Sequence, residues 1–156
     1  MGKAKKLVQM LSQRGQRLAT AESITGGLIA STVVSVQGAS KVLHEGYITY
    51  SEASKVSRLG VPPKMLQQYG AVSHEVCKAM FAGLMASVDI DYAVVTTGYA
   101  DGKDAGVVYI GAGSRVRGVV IARYLFTGSR NSIRKQAANT AISMLYELAK
   151  TNFIMV

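Results

Sequence analysis

A serine stands where a short apolar strand gives way to a glycine-opened helix, in Ala21-Glu22-Ser23-Ile24-Thr25-Gly26-Gly27. Amide N–H groups at the start of a helix lack intrahelical acceptors and are free to hold an anion or a developing oxyanion. Glycine lets a ligand approach the backbone closely. Ser23 is thus placed as a nucleophile, with the N–H groups around Thr25 to Gly27 beside it. A serine here equally serves as a simple helix cap, and so short a motif does not separate the two.

A nucleophilic serine needs a base. The 2 histidines, His44 ahead of a strand and His74 at a helix start, read as surface or capping residues, and no Ser-His-Asp arrangement is evident. Lysine can take the place of histidine in Ser-Lys hydrolases. Lys55 lies one turn into the helix that follows a strand ending at Tyr50, so Tyr50 and Lys55 bracket that strand's C-terminal end. In a parallel pairing with the first strand, this end lies beside Ser23, on the edge where α/β sheets usually bind ligands. Position makes Lys55 eligible but does not select it among the 18 Lys and Arg residues. Cys77, between Val76 and Met80 on an apolar helix, reads as core. No His/Cys/Asp cluster has metal-ligand spacing, so no metal is expected.

The elements that position these residues follow from apolar periodicity and from Gly and Pro breakers. Residues 4–13 read as a helix closed by Gly15, and 17–21 as a strand. Thr25-Gly26-Gly27 opens a helix to about Val36, ended by Gly38. Tyr47 to Tyr50 has strand composition. Glu52 to Leu59 is helical, a short helix from Pro62-Pro63 ends at Gly70, and Ser73 caps a helix through Met85. Tyr92 to Thr97 is a continuous apolar strand, buried on both faces. Segments 106–112 and 116–126 read as a hairpin around Gly113-Ser114. Ser129 to Lys150 is a long amphipathic helix with Ile133, Ala137, Ala141, Leu145 and Leu148 on one face. The order predicts a three-layer α/β/α sandwich with a mixed five-stranded sheet. Residues 1–156 read as a single domain, with no linker or repeat.

The chain has 156 residues, 49% hydrophobic and 17% charged, enough for a core without disulfides and unlike a disordered chain. One cysteine, no apolar run long enough for a membrane span, and an N-terminus too short in apolar residues for a signal peptide point to the cytoplasm. The formal charge of +9 raises the question of nucleic acid, but the basic residues are spread along the chain and read as a solvated surface. A small anionic substrate would gain from the same field. Apolar residues such as Met80, Phe81 and Met85 on short helices suggest a homo-oligomer.

The stretches TAESITGGLIAS, GASKVLHEGYITYSEASKVSRLGV and GAVSHE resemble the C-terminal domain of competence-damage-inducible protein CinA, a domain that also occurs alone as nicotinamide-nucleotide amidase. The resemblance runs from Leu7 to Leu148. It implies hydrolysis of the carboxamide of nicotinamide mononucleotide to nicotinate mononucleotide and ammonia, in pyridine-nucleotide salvage, without a cofactor. The family's Ser-x-Thr-Gly-Gly serine falls on Ser23, and its Tyr-x-x-x-x-Lys pair on Tyr50 and Lys55. Its Gly-Asp-Arg falls on Gly128, Ser129 and Arg130, with Arg130 the candidate for holding the phosphate. Thr25, Gly26, Gly27, Gly46, Thr97 and Gly98 complete the substrate-binding set. The chain departs from the pattern at Ile24, at Ser129, and in the loop Thr97-Gly98-Tyr99-Ala100-Asp101-Gly102, where the family reads Thr-Gly-Ile-Ala-Gly-Pro and where the segment that follows is shortened to Lys103-Asp104-Ala105. A carboxylate at Asp101 weakens anion binding if it faces the pocket. Three rivals stay open: a nucleotide-binding module of the same fold, an amidase for another small amide, and a nucleic-acid-associated protein.

Overall fold

Along the central strands, Leu18, Tyr92 and Val94 face one apolar cluster, while Ala19, Ala21, Ala93 and Val95 face another. Apolar residues on both sides of a strand require a covering layer on both sides. The computed structural model describes residues 2–154 and has this arrangement. The order is α1 (Lys3–Arg14), β1 (Leu18–Glu22), α2 (Leu28–Val34), a 3-10 turn (Ala39–Lys41), β2 (Leu43–Ile48), α3 (Glu52–Leu59), α4 (Pro63–Tyr69), α5 (His74–Ser87), β3 (Tyr92–Gly98), β4 (Val107–Ser114), β5 (Gly118–Leu125) and α6 (Arg130–Ile154). Helices α1, α2 and α6 cover one face of the sheet, and α3, α4 and α5 the other. This is the three-layer α/β/α sandwich expected from the sequence.

The sheet order is β2-β1-β3-β4-β5. β1 pairs parallel with β2 and with β3, whereas β3–β4 and β4–β5 are antiparallel. The chain leaves β1 through α2 on one face and returns to β3 through α3–α5 on the other. The two connections part at the C-terminal end of β1, which opens a crevice there. Ser23 is the first residue beyond that end.

Three local readings need correction. β2 starts at Leu43 and ends at Ile48, not at Tyr50. Thr49 still donates its amide to Glu22 O at 2.9 Å, but the carbonyls of Thr49 and Tyr50 turn towards Lys55. The β4–β5 turn lies at 115–117 and not at Gly113-Ser114, which are still paired with Val119 and Gly118. A Cβ on Gly113 would lie 2.0 Å from Gly118 O, so this glycine serves close strand approach and not the turn. Helix α2 begins at Leu28, because Gly26 and Gly27 take positive φ of 56° and 100° and hold residues 24–27 in turns.

Met80 and Phe81 are buried against the sheet, and so offer no surface to a second copy. Cys77 lies in the same cluster, where burial pushes its thiol up to about 12 and keeps it unreactive. No helix among the described residues is long and apolar enough to cross a membrane.

Candidate active site

The site is built around a buried acid that the sequence reading left unassigned. Glu22 ends β1 with its carboxylate turned towards α2. Oε1 accepts from the amides of Gly27 at 3.2 Å and Ile29 at 2.9 Å, and Oε2 accepts from Ala30 at 3.0 Å. These are the otherwise unpartnered donors at the start of α2, and the helix dipole favours the negative charge. The carboxylate therefore locks the turn that carries Ser23. The signal was present in the sequence, as an acid at a strand end just before a helix.

This cap changes which amides remain for an oxyanion. Gly27 N–H is taken by Glu22, and Gly26 N–H donates to Ser23 O at 3.0 Å. The amides of Ile24 and Thr25 have no acceptor among the described residues, and of the two only Ile24 lines the pocket, so the candidate oxyanion donor moves to the Ile24 N–H. From the far side, Arg134 on α6 donates through Nε to Ile24 O at 2.9 Å and through Nη2 to Thr25 O at 3.2 Å. This guanidinium fixes the turn beside Ser23 from the α6 side. Gly26 makes room for this contact, since a Cβ there would lie 2.9 Å from Arg134 Nη2. Arg134 was missed because one arginine on a long amphipathic helix carries no sequence signature.

Ser23 is anchored through its backbone. Its amide donates to Thr96 O at 3.2 Å and Thr96 Oγ1 at 3.3 Å, and Thr25 Oγ1 meets Thr96 Oγ1 at 2.9 Å. The Ser23 side chain meets Lys55. Helix α3 is started by Ser51, whose Oγ accepts from Ser54 N at 3.1 Å, and its first turn carries Lys55 inward. Lys55 is 1% exposed. Its Nζ lies 3.2 Å from Ser23 Oγ, 2.9 Å from Thr49 O and 3.5 Å from Tyr50 O. A neutral amine has two N–H groups and one lone pair. It can donate to the two carbonyls and accept the Ser23 hydroxyl proton, while the ammonium can donate to all three oxygens. The geometry thus suits Lys55 both before and after proton transfer. Burial lowers its pKa from the ordinary lysine value, and Glu52 one turn earlier opposes this more weakly.

Tyr50 and Arg130 meet at the pocket mouth. The Tyr50 hydroxyl accepts from Arg130 Nη2 at 3.0 Å, and Arg130 Nη1 donates to Asp101 Oδ2 at 2.7 Å. Only the main-chain carbonyl of Tyr50 reaches Lys55, so orientation of the base falls to the backbone and not to the phenol.

A pocket of about 230 Å³ connects these groups, and Ser23, Tyr50, Lys55, Thr97, Gly98 and Arg130 all line it. Ile24, Ala71, Val72 and the loop residues up to Asp101 complete the wall. Thr97 is held by donation from Oγ1 to Ala71 O at 2.7 Å. Thr25, Gly26, Gly27 and Gly46 do not line this pocket. Thr25 is buried under Thr96, Gly27 faces Ile48, and a Cβ on Gly46 would lie 2.7 Å from Thr20 Oγ1. These four serve the packing of the turn and of α2 on β2 and do not form the pocket wall. No group of three His, Cys, Asp or Glu side chains is placed to hold a metal ion among the described residues.

The Glu22 lock makes a stability prediction. Glu22→Ala removes a buried carboxylate and leaves three amides without their acceptor. A loss of about 3 kcal/mol is expected in urea unfolding, with Glu22→Gln losing less because one carbonyl oxygen remains. A Glu22→Ala change within about 0.5 kcal/mol of the parent would mean that α2 does not depend on this cap.

A family model described as the CinA C-terminal domain matches residues 2–149. A CinA-like protein of Leptospira borgpetersenii is 37% identical over 150 residues, covering 92% of this chain and 36% of the relative. A CinA-like protein of Kosmotoga olearia is 40% identical over 146 residues, covering 89% of this chain and 35% of the relative. The chain thus spans about a third of the length of these curated relatives. Among solved structures, a competence/damage-inducible protein from Agrobacterium tumefaciens superposes with a TM-score of 0.91 at 31% identity, covering 94% of this chain and 93% of that one. One from Enterobacter asburiae superposes at 0.89 with 27% identity, covering 94% and 96%.

Proposed function

The chain belongs to the CinA C-terminal domain family, and from that premise we propose that it hydrolyses the carboxamide of nicotinamide mononucleotide through Ser23 and Lys55. The observation that carries this reading is the buried Lys55 Nζ lying 3.2 Å from Ser23 Oγ at the inner end of the pocket, beyond the C-terminal end of β1. Neutral Lys55 takes the Ser23 proton as Oγ attacks the carboxamide carbon. The oxyanion that forms is assigned to the Ile24 amide, which has no other acceptor among the described residues and whose residue lines the pocket. Lys55 returns the proton to the departing nitrogen, and ammonia leaves. Water, deprotonated by Lys55, then cleaves the ester to give nicotinate mononucleotide and restore Ser23. Arg130 and the Tyr50 hydroxyl, from residues that line the same pocket, are the proposed contacts for the phosphate end of the substrate.

A second reading, an amidase for a phosphate-free carboxamide, is favoured by one feature, the carboxylate already bound to Arg130. Ammonia release from nicotinamide mononucleotide, nicotinamide riboside, free nicotinamide and unrelated amides separates the two. Fastest release is expected from the mononucleotide. Release from the riboside alone would support the second reading, and no release from any carboxamide would leave the fold as a binding module.

A further inference from the structure

Three segments distant in sequence meet at the outer end of the pocket. They are the first residue of α6, the residues after β2, and the loop after β3. Arg130 contributes the cation, donating through Nη1 to Asp101 and through Nη2 to the Tyr50 hydroxyl. Of the pocket-lining residues, Lys55 is the other cationic type, and burial at the inner end favours its neutral form. A ligand anion entering the pocket therefore has one charged donor to turn to at the mouth. A guanidinium offers its N–H groups as a planar fork that fits a carboxylate or a phosphate alike. In this chain one arm of the fork already holds a carboxylate, at the short distance of a charge-assisted bond.

We infer that Asp101 is a specificity-determining residue, an internal carboxylate that competes with any phosphate-bearing ligand for the Arg130 guanidinium. This inference rests on the reading of the pocket as a carboxamide site and adds how the far end of the substrate is selected. The Asp101 and Arg130 side chains are 81% and 48% exposed. Ion pairs this exposed are weak, so the carboxylate can be displaced and acts as a filter more than a block. Its effect on phosphate affinity is on the order of fivefold. A phosphate then adds less to substrate affinity than an unopposed Arg130 would give it, which narrows the preference for nucleotide over nucleoside.

The test is calorimetric titration with inorganic phosphate at low ionic strength, on the parent, on Asp101→Asn, and on Asp101→Asn with Arg130→Gln. Asp101→Asn is expected to bind phosphate about fivefold more tightly than the parent, and the double variant to lose that gain. Equal affinity in parent and Asp101→Asn, a gain that survives without Arg130, or no phosphate binding by Asp101→Asn would each overturn the inference. Titration needs no turnover. A chain that shows the phosphate pattern but releases no ammonia keeps this inference and loses the proposed reaction, and the opposite result does the reverse.

Discussion

Replacing Lys55 by methionine is expected to slow ammonia release by about 10²–10⁴-fold, the usual contribution of a positioned general base. Methionine keeps an unbranched chain of similar length in the slot under Thr49 and Tyr50 and removes only the amine. Arginine is expected to be as inactive, since a guanidinium does not deprotonate in proteins. The pH profile carries the same claim. The folded-state pKa of Lys55 lies below the ordinary lysine value of about 10.4. The rate should therefore rise with pH through an ionisation below that value, and the rise should vanish in Lys55→Met. Stability shares the sign. Between the folded and unfolded pKa values the unfolded chain binds the extra proton, so Lys55 opposes folding at lower pH, and that penalty is relieved as pH rises through the window. Near-parental turnover in Lys55→Met would reduce the residue to a structural amine.

The fold was legible where the period of the pattern was strong. Tyr92 to Thr97 reads as a fully buried strand because both its faces are apolar, and the structure covers both. The edge strand β2 was not, because His44, Glu45 and Gly46 lack strand composition; Glu45 and Gly46 are held by their pairing with β1, and His44 falls at a shift in its register. The hairpin turn was misplaced because Gly113 resembles a turn glycine while serving close strand contact. Within the site, spacing and resemblance brought Ser23 and Lys55 forward. Glu22, Thr96 and Arg134 act through contacts between elements far apart in the chain, which no local pattern records. Asp101 stood out as an unusual carboxylate, but its partner emerged only when the loop after β3 was placed against α6.

Ser23→Ala is expected to leave the fold intact and to lower turnover by about 10⁴-fold or more. Among the described residues its Oγ bonds only to Lys55 Nζ, while its amide and carbonyl, which hold the turn, are unaffected. Lys55 keeps the Thr49 and Tyr50 carbonyls as partners. The cost in stability is therefore that of one hydroxyl contact, about 1 kcal/mol. The covalent route closes completely, and only positioning of the carboxamide against the Ile24 amide remains. Loss of activity without loss of cooperative unfolding identifies a reacting atom and not a structural one.

The most direct measurement is ammonia and nicotinate mononucleotide released from nicotinamide mononucleotide by the parent and by folded Ser23→Ala, assayed side by side. Equal amounts of the two products from the parent and none above background from the variant are expected. A folded Ser23→Ala protein that releases both at the parental rate would contradict the assignment of Ser23 as the nucleophile.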